Sequence, residues 1–158
     1  MNPQLIGPCG MNCNVCSAYL AYTHAIPKAR GRISHCRGCG PQGKSCAYLK
    51  KWCDPLRKNE IRFCFECNDF PCHRLKHIDE RYRNTYGISF IENLKFIQAN
   101  GVSGFTRAQE RQFGCDRCRA DVLSVHNDKC FSCDTVRTLR RKYRRPPTNR
   151  HAQLRRHS

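Results

Sequence analysis

The chain has 158 residues, fourteen of them cysteine, and a formal net charge of +17 at neutral pH. This length suits one domain or two small ones, and hydrophobic residues at 39%, cysteines included, are too few for one large core. No run of about 18 apolar residues occurs, which excludes a membrane-spanning helix. No secretory signal is visible at the start of the sequence. We therefore expect a cytoplasmic protein with reduced thiols.

The cysteine spacing favours metal binding over disulfide bonds. Its commonest form, C-x2-C, lets a tight turn direct two sulfur atoms at one ion. Five such pairs occur: Cys13/Cys16, Cys36/Cys39, Cys64/Cys67, Cys115/Cys118 and Cys130/Cys133. We expect metal ions at these cysteines to replace part of the missing hydrophobic core.

The first predicted unit, residues 1–72, is a metal-binding module that holds ten of the fourteen cysteines. One economical site joins the first two C-x2-C pairs: Cys13, Cys16, Cys36 and Cys39. A second site uses Cys64, Cys67 and Cys72, completed by one further cysteine from Cys9, Cys46 and Cys53. The sequence leaves this partition open.

An iron–sulfur cluster is the alternative to zinc in this module, because thiolates bind both. Cys9, Cys13 and Cys16 have the spacing C-x3-C-x2-C, which suits a 4Fe-4S cluster with one open iron. A radical enzyme with such a cluster also needs a barrel of about 200 residues or more, which this chain cannot supply. A passive or redox cluster therefore stays open. The nearby histidines are further candidate ligands: His24, His35 and His73.

A helix is predicted in the same module, through about Leu56. Leu49, Trp52 and Cys53 share one helical face with Leu56, so this face is expected to pack against the core. Cys46 lies seven residues before Cys53 on that face. The helix can therefore deliver two thiolates to one site, or bury one or both cysteines as small apolar residues.

Residues 73–113 contain no cysteine and are predicted to form a helical connector. Leu75, Ile78 and Tyr82 recur at helical spacing and form one apolar stripe. This stripe is expected to face the core, whereas the mixed charges between these positions face solvent.

Helix boundaries in the connector are marked by capping signals. Ser89 and Glu92 form a capping box at the start of a second helix, and Gly101 is expected to end it. Thr106 and Gln109 repeat the box pattern, which predicts the start of a further helix.

Residues 114–136 are predicted to form a zinc-ribbon-like module. Two C-x2-C pairs are separated by eleven residues that suit a short strand and a turn. Four thiolates close the coordination shell of zinc and leave no position for a substrate, so the expected role is structural. The four ligands are Cys115, Cys118, Cys130 and Cys133.

The positive charge is unevenly distributed. Residues 1–53 carry seven lysines and arginines and no acid, residues 54–136 are nearly balanced, and residues 137–158 carry nine basic residues and no acid. The last segment is too polar to fold alone and is predicted to be a disordered tail, which either binds a polyanion or only aids solubility. Its candidate contacts are Arg137, Arg140, Arg141, Lys142, Arg144, Arg145 and Arg150.

Five blocks within residues 9–134 are specific in order and spacing: CGMNCNVCSAYLA, CRGC, FCFECNDFPCHRL, IDERYRNTYGISFIENLKFIQANG and CDRCRADVLSVHNDKCFSCD. Together they resemble a cysteine-rich bacterial and archaeal family of unknown function, domain-of-unknown-function family 3795. The resemblance implies that the matched cysteines bind metal in a cytoplasmic protein, and it implies no activity. The arginine-rich segment after Asp134 lies outside it.

The predicted fold is a small metal-stapled α+β protein with about three Zn²⁺ sites, and the boundaries of its units are those given above. We find no catalytic triad, phosphate-binding loop or paired carboxylates, so an enzyme is not expected. The favoured function is zinc-stapled binding of RNA or the ribosome through the basic surface. The alternatives are an iron–sulfur redox or maturation protein, and an adaptor that binds another protein.

Overall fold

The computed structural model describes the backbone of residues 1–39 and 47–140, and their side chains except at positions 47, 48 and 50. Its helices are α1 (Ser17–Thr23), α2 (Ala47–Trp52), α3 (Asp54–Arg57), α4 (His73–Tyr86), α5 (Phe90–Phe113) and α6 (Val136–Leu139). Short 3-10 turns occupy Pro3–Leu5, Cys13–Val15 and Cys64–Glu66. Within the described ranges, none of the helices would span a bilayer.

Strand pairing in the described residues is limited to isolated antiparallel bridges: Ile6 with Asn12, Ala29 with Ile33, Gly114 with Val122, and Leu123 with Cys130. The molecule is therefore small and helix-rich with little strand. The strand predicted between the C-terminal cysteine pairs is present only as the last two bridges. The α+β class and the zinc-ribbon topology stay predictions.

The largest core lies between the N-terminal segment and the two long helices, α4 and α5. Leu75 and Leu94 are fully buried in it, together with Leu5 and Phe105. Ile78 and Tyr82 pack against the same core, as their spacing with Leu75 predicts. Helix α4 therefore turns its apolar stripe inwards.

The predicted boundaries of α5 are half right. The Ser89 hydroxyl accepts a hydrogen bond from the Glu92 amide at 3.1 Å, which confirms Ser89 as the N-cap of the predicted box. Gly101 has φ +69° and ψ 168°, so it breaks α5 where a stop was predicted. The second predicted cap is wrong: Thr106 lies inside the resumed helix, and its hydroxyl donates to the Ser103 carbonyl at 3.0 Å. The backbone becomes helical again before Thr106, so no free amide remains there to be capped.

A buried carboxylate joins α4 to the start of α5. Asp79 is 2% exposed and accepts hydrogen bonds from the Ser89 hydroxyl at 2.6 Å and the Ile91 amide at 2.9 Å. The Arg83 guanidinium donates to its second oxygen at 2.7 Å. These bonds satisfy the Ile91 amide at the N-terminus of α5 and connect the two helices.

The helix predicted through Leu56 is divided into α2 and α3 at Cys53, whose φ and ψ are −118° and 107°. Pro55 explains the break, because inside a continuous helix its ring would clash with the preceding turn. Leu49 and Leu56 are buried as predicted. Trp52 is not: it is 54% exposed, because the break removes the shared face on which it was placed.

Gly10 occupies a position that tolerates no side chain. Its φ is +83°, and a Cβ there would lie 2.7 Å from the Phe90 carbonyl oxygen. We expect Gly10→Ala to lower the free energy of unfolding by about 3 kcal/mol, from left-handed strain and overpacking together. Gly31 has φ +69° with open space around it, so Gly31→Ala should lose only about 1 kcal/mol. Chemical denaturation of both metal-loaded variants measures the difference, and equal losses would contradict the close contact.

Candidate metal centres

The four C-terminal cysteines converge on one point. The sulfur atoms of Cys115, Cys118, Cys130 and Cys133 all lie within 4.8 Å of one another. Two of the separations are 3.9 Å, from Cys115 to Cys133, and 3.8 Å, from Cys118 to Cys130. A tetrahedral ion with metal–sulfur bonds of about 2.3 Å requires sulfur separations of about 3.8 Å. The donor set therefore fits a single tetrahedral ion, and all four thiols are free.

Tight turns deliver these sulfurs. The Arg119 amide donates to the Cys115 carbonyl at 2.8 Å, and the Asp134 amide donates to the Cys130 carbonyl at 2.9 Å. Arg119 has φ +54°, which closes the first turn in a left-handed conformation. In this way each C-x2-C pair folds back on itself and points both side chains the same way.

Carboxylates brace the turns from outside the thiol set. Asp134 accepts from the Cys130 amide at 2.9 Å and from the Arg117 guanidinium at 2.6 Å, so one oxygen links the two pairs. Asp121 accepts from the Ser132 hydroxyl at 2.8 Å and pairs with the His24 imidazole at 3.0 Å. Both carboxylates are thereby committed to hydrogen bonds, and the ligand set is the four thiols.

Hydrogen bonds favour the thiolate form of one cysteine in this set. The backbone amides of Cys118 and Arg117 lower the pKa of the Cys115 thiol. Burial raises the pKa of the Cys130 thiol, which is completely inaccessible. A cation is therefore needed to keep all four sulfurs deprotonated together.

A second group comprises the first two C-x2-C pairs. The Cys39 amide donates to the Cys13 sulfur at 3.3 Å, and a hydrogen bond between their thiols is the main cause that raises the pKa of Cys13. Burial raises the pKa of Cys16, and the charges of Cys36 and Cys39 add to it. The four cysteines grouped by sequence thus lie near one another. We call them the Cys13 group.

A third group surrounds Cys64. Burial is the first cause that raises the pKa of Cys64, followed by the charges of four neighbouring thiols. These neighbours are Cys9, Cys53, Cys67 and Cys72. The Cys64 amide donates to the Pro8 carbonyl at 2.9 Å, which holds it beside Cys9. We call these five cysteines the Cys64 group, and Cys46 lies outside the described residues.

The N-terminal groups are less compact than the C-terminal set. In residues 1–39 and 47–140, only the C-terminal four place three or more candidate ligands within 4.8 Å of one another. The two N-terminal groups approach each other at Tyr82. Burial is the main cause that raises the pKa of its phenol, and the charges of Cys16 and, more weakly, Cys9 add to it. Tyr82 therefore lies near one thiol of each N-terminal group.

The C-terminal set is tied to the Cys13 group through the backbone. The Val125 amide donates to the Val15 carbonyl at 2.8 Å. His126 Nδ1 accepts from the Ser17 amide at 3.2 Å, so its proton lies on Nε2, 3.4 Å from the Tyr82 hydroxyl. Burial lowers the pKa of His126 to about 4, so it is neutral at physiological pH. Sequence reasoning missed His126, because its position between the cysteine pairs does not reveal these partners.

The three histidines considered as ligands lie elsewhere. His24 pairs with Asp121, and the His35 ring lies 2.7 Å from the Ile26 carbonyl. His73 is exposed at the start of α4. Within the described residues, no histidine belongs to a group that could hold an ion.

The predicted tail is only partly described. Arg137 and Arg140 are exposed in and just after α6, whereas Arg141, Lys142, Arg144, Arg145 and Arg150 lie outside the described residues. Leu139 is 3% exposed and packs with Phe131 and Ile33, so the predicted boundary at residue 137 falls inside a folded helix. Disorder is therefore the wrong prediction for residues 137–139.

A family model described as "Protein of unknown function (DUF3795)" matches residues 5–77. This match includes both N-terminal groups and stops before the C-terminal four-cysteine set, whereas the resemblance in the sequence was drawn as far as residue 134. No curated protein and no solved structure matches the chain. Over residues 5–77, just under half of its length, the chain is similar to the DUF3795 family, whose function is unknown.

Proposed function

We propose that this chain is a non-enzymatic, cytoplasmic zinc-binding protein whose basic surface and tail bind an anionic partner, either RNA or the ribosome. The observation that carries the proposal is the four-sulfur arrangement of the C-terminal set, with separations of 3.8 and 3.9 Å. Four thiolates saturate a zinc ion, so the ion stabilises structure and does not activate a substrate.

Charge supports the choice of partner. The segment 1–53 carries seven basic residues and no acid, and the segment 137–158 carries nine and no acid. Such surfaces attract phosphates and release counterions when they bind, which makes the affinity depend strongly on salt. A partner rich in phosphate matches this charge better than an ordinary protein surface.

Filter binding of RNA at increasing salt tests the proposal. Truncation after Arg140 removes seven basic residues but keeps Leu139 in its core position. We expect the truncated chain to bind more weakly and to lose about 0.7 from the salt slope for each phosphate contact removed. Unchanged affinity and slope would contradict the role of the tail, and salt-independent binding would contradict the role of the basic surface.

An iron–sulfur cluster in the Cys64 group is the second candidate. In the described residues, no three thiols of this group lie within 4.8 Å of one another, which is looser than a single ion requires. A 4Fe-4S cluster distributes its thiolates over several irons and therefore separates their sulfur atoms more widely. Protein purified without oxygen should then absorb at roughly 400 nm. Cys64→Ser should abolish this band, whereas Cys130→Ser should keep it. A colourless preparation with zinc in every site would contradict this candidate.

A further inference from the structure

Trp52 is a large apolar side chain left on the surface. It is 54% exposed, and Tyr22 is the other large hydrophobic residue that is exposed in the described part of the chain. Its neighbours on either side of the helix break, Leu49 and Leu56, are each 3% exposed. A single exposed apolar side chain is common on protein surfaces and does not by itself mark a site, so the groups around the indole decide its role.

Two cations accompany the Trp52 ring. The Lys51 ammonium lies 5.1 Å from the ring centroid, and the Arg74 guanidinium, from the first turn of α4, lies 5.4 Å from it. Both distances are within the range of a cation–π interaction. In the described residues neither cation forms an ion pair, and the nearest acid in sequence, Asp54, pairs with Arg57 at 2.6 Å. The ring therefore lies in a positively charged surface.

We propose that Trp52, Lys51 and Arg74 form a base-stacking site for single-stranded nucleic acid. A base displaces one of the cations from the face of the indole and stacks there, and the two cations then contact the phosphates on either side of it. Stacking on an aromatic ring next to basic side chains is how proteins bind single strands without reading sequence. This inference rests on the proposed function. It assigns part of the nucleic-acid binding to residues 5–77, which the family model matches, instead of to the tail.

The charge of the surface decides between a nucleic acid and a protein partner. A surface tryptophan also suits a protein interface, but the cations beside this ring lack carboxylate partners in the described residues. The whole segment 1–53 is free of acids. A single-stranded nucleic acid supplies an aromatic base and a negatively charged phosphate at each nucleotide, which match the indole and the cations.

Trp52 is the single tryptophan of the chain, so its fluorescence reports directly on this site. The experiment titrates full-length, metal-loaded protein with a 12-mer of oligouridine and, separately, of oligothymidine. We expect both to quench the fluorescence, and a difference between the two would show whether the 2′-hydroxyl contributes. Trp52→Leu, followed by filter binding, should weaken the affinity by about tenfold.

Matched variants separate stacking from charge. Trp52→Phe keeps an aromatic ring and should bind within about threefold of the wild type. Arg74→Gln should weaken binding and reduce the salt slope by about 0.7. Arg107→Gln removes the same charge from an exposed position of α5 and should have less effect. Because Trp52 is exposed, these variants are expected to fold, which circular dichroism can verify.

Each outcome decides the inference. Salt-dependent binding that is equal in Trp52→Leu and the wild type would overturn it and leave the proposed function standing. Failure of the wild-type chain to bind either oligonucleotide or RNA would overturn both. A nuclease-resistant protein complex that requires Trp52, without quenching by either oligonucleotide, would assign the surface to a protein and overturn the inference.

Discussion

Cys130→Ser is expected to release one metal ion per chain and to unfold the C-terminal segment. Cys130 is completely buried, and its sulfur lies 3.8 Å from that of Cys118 within the four-thiol set. A serine hydroxyl does not ionise at neutral pH and replaces a thiolate poorly. Structural zinc sites contribute about 10–16 kcal/mol of apparent binding free energy to folding, so the loss of one ligand in four should be among the largest effects available.

Metal analysis and thermal unfolding measure this result. Ser132→Ala is the control: it lies inside the same turn, and it removes the hydroxyl that donates to Asp121 while keeping all four sulfurs. The control should retain its metal and lose only about 1 kcal/mol. Full metal content in Cys130→Ser would show that these four thiols do not share an ion.

Asp79→Ala is expected to lower the free energy of unfolding by about 3–5 kcal/mol, the cost of breaking a buried, charged network. The substitution removes the acceptor for the Ser89 hydroxyl, which is buried, and for the Ile91 amide at the start of α5, which is partly buried. Buried donors without acceptors are costly because water cannot replace the lost bond. Chemical denaturation of the metal-loaded protein measures the loss.

Arg83→Gln serves as the comparison for Asp79. Arg83 donates to the same carboxylate at 2.7 Å, but its side chain is 56% exposed. Removing it leaves Asp79 bonded to the Ser89 hydroxyl and the Ile91 amide, and we expect a loss of about 1 kcal/mol or less. Equal losses in the two variants would show that the ion pair, and not the buried helix junction, provides the stability.

Local signals explain which elements the sequence could predict. The Ser89 cap and the Gly101 break each depend only on residues within about one helical turn, and both are present. The C-terminal set depends on two C-x2-C pairs eleven residues apart, and its four sulfurs lie together. Each of these features is decided by short-range geometry, which a single sequence contains.

The predictions that were wrong or left open have two causes. Either one local signal overrode another, or the outcome depended on contacts between residues distant in sequence. The helical face that included Trp52 was broken by Pro55, and the cap predicted at Thr106 fell inside a helix that had already resumed. The neighbourhood of Cys9 and Cys64 depends on a hydrogen bond between Cys64 and Pro8, more than fifty residues apart. Spacing alone carries no information about such contacts, so the division of the N-terminal cysteines stayed open.

The family match ends at residue 77, inside α4, which continues to Tyr86. The matched segment also depends on residues C-terminal to it, because the Asn93 side chain donates to the Gly10 carbonyl at 2.9 Å and the Val125 amide donates to the Val15 carbonyl. The segment that the family model matches is therefore smaller than the unit that folds. A fragment that ends at residue 77 would leave the Gly10 and Val15 carbonyls without these partners, so the matched segment is not expected to fold stably without the residues that follow it.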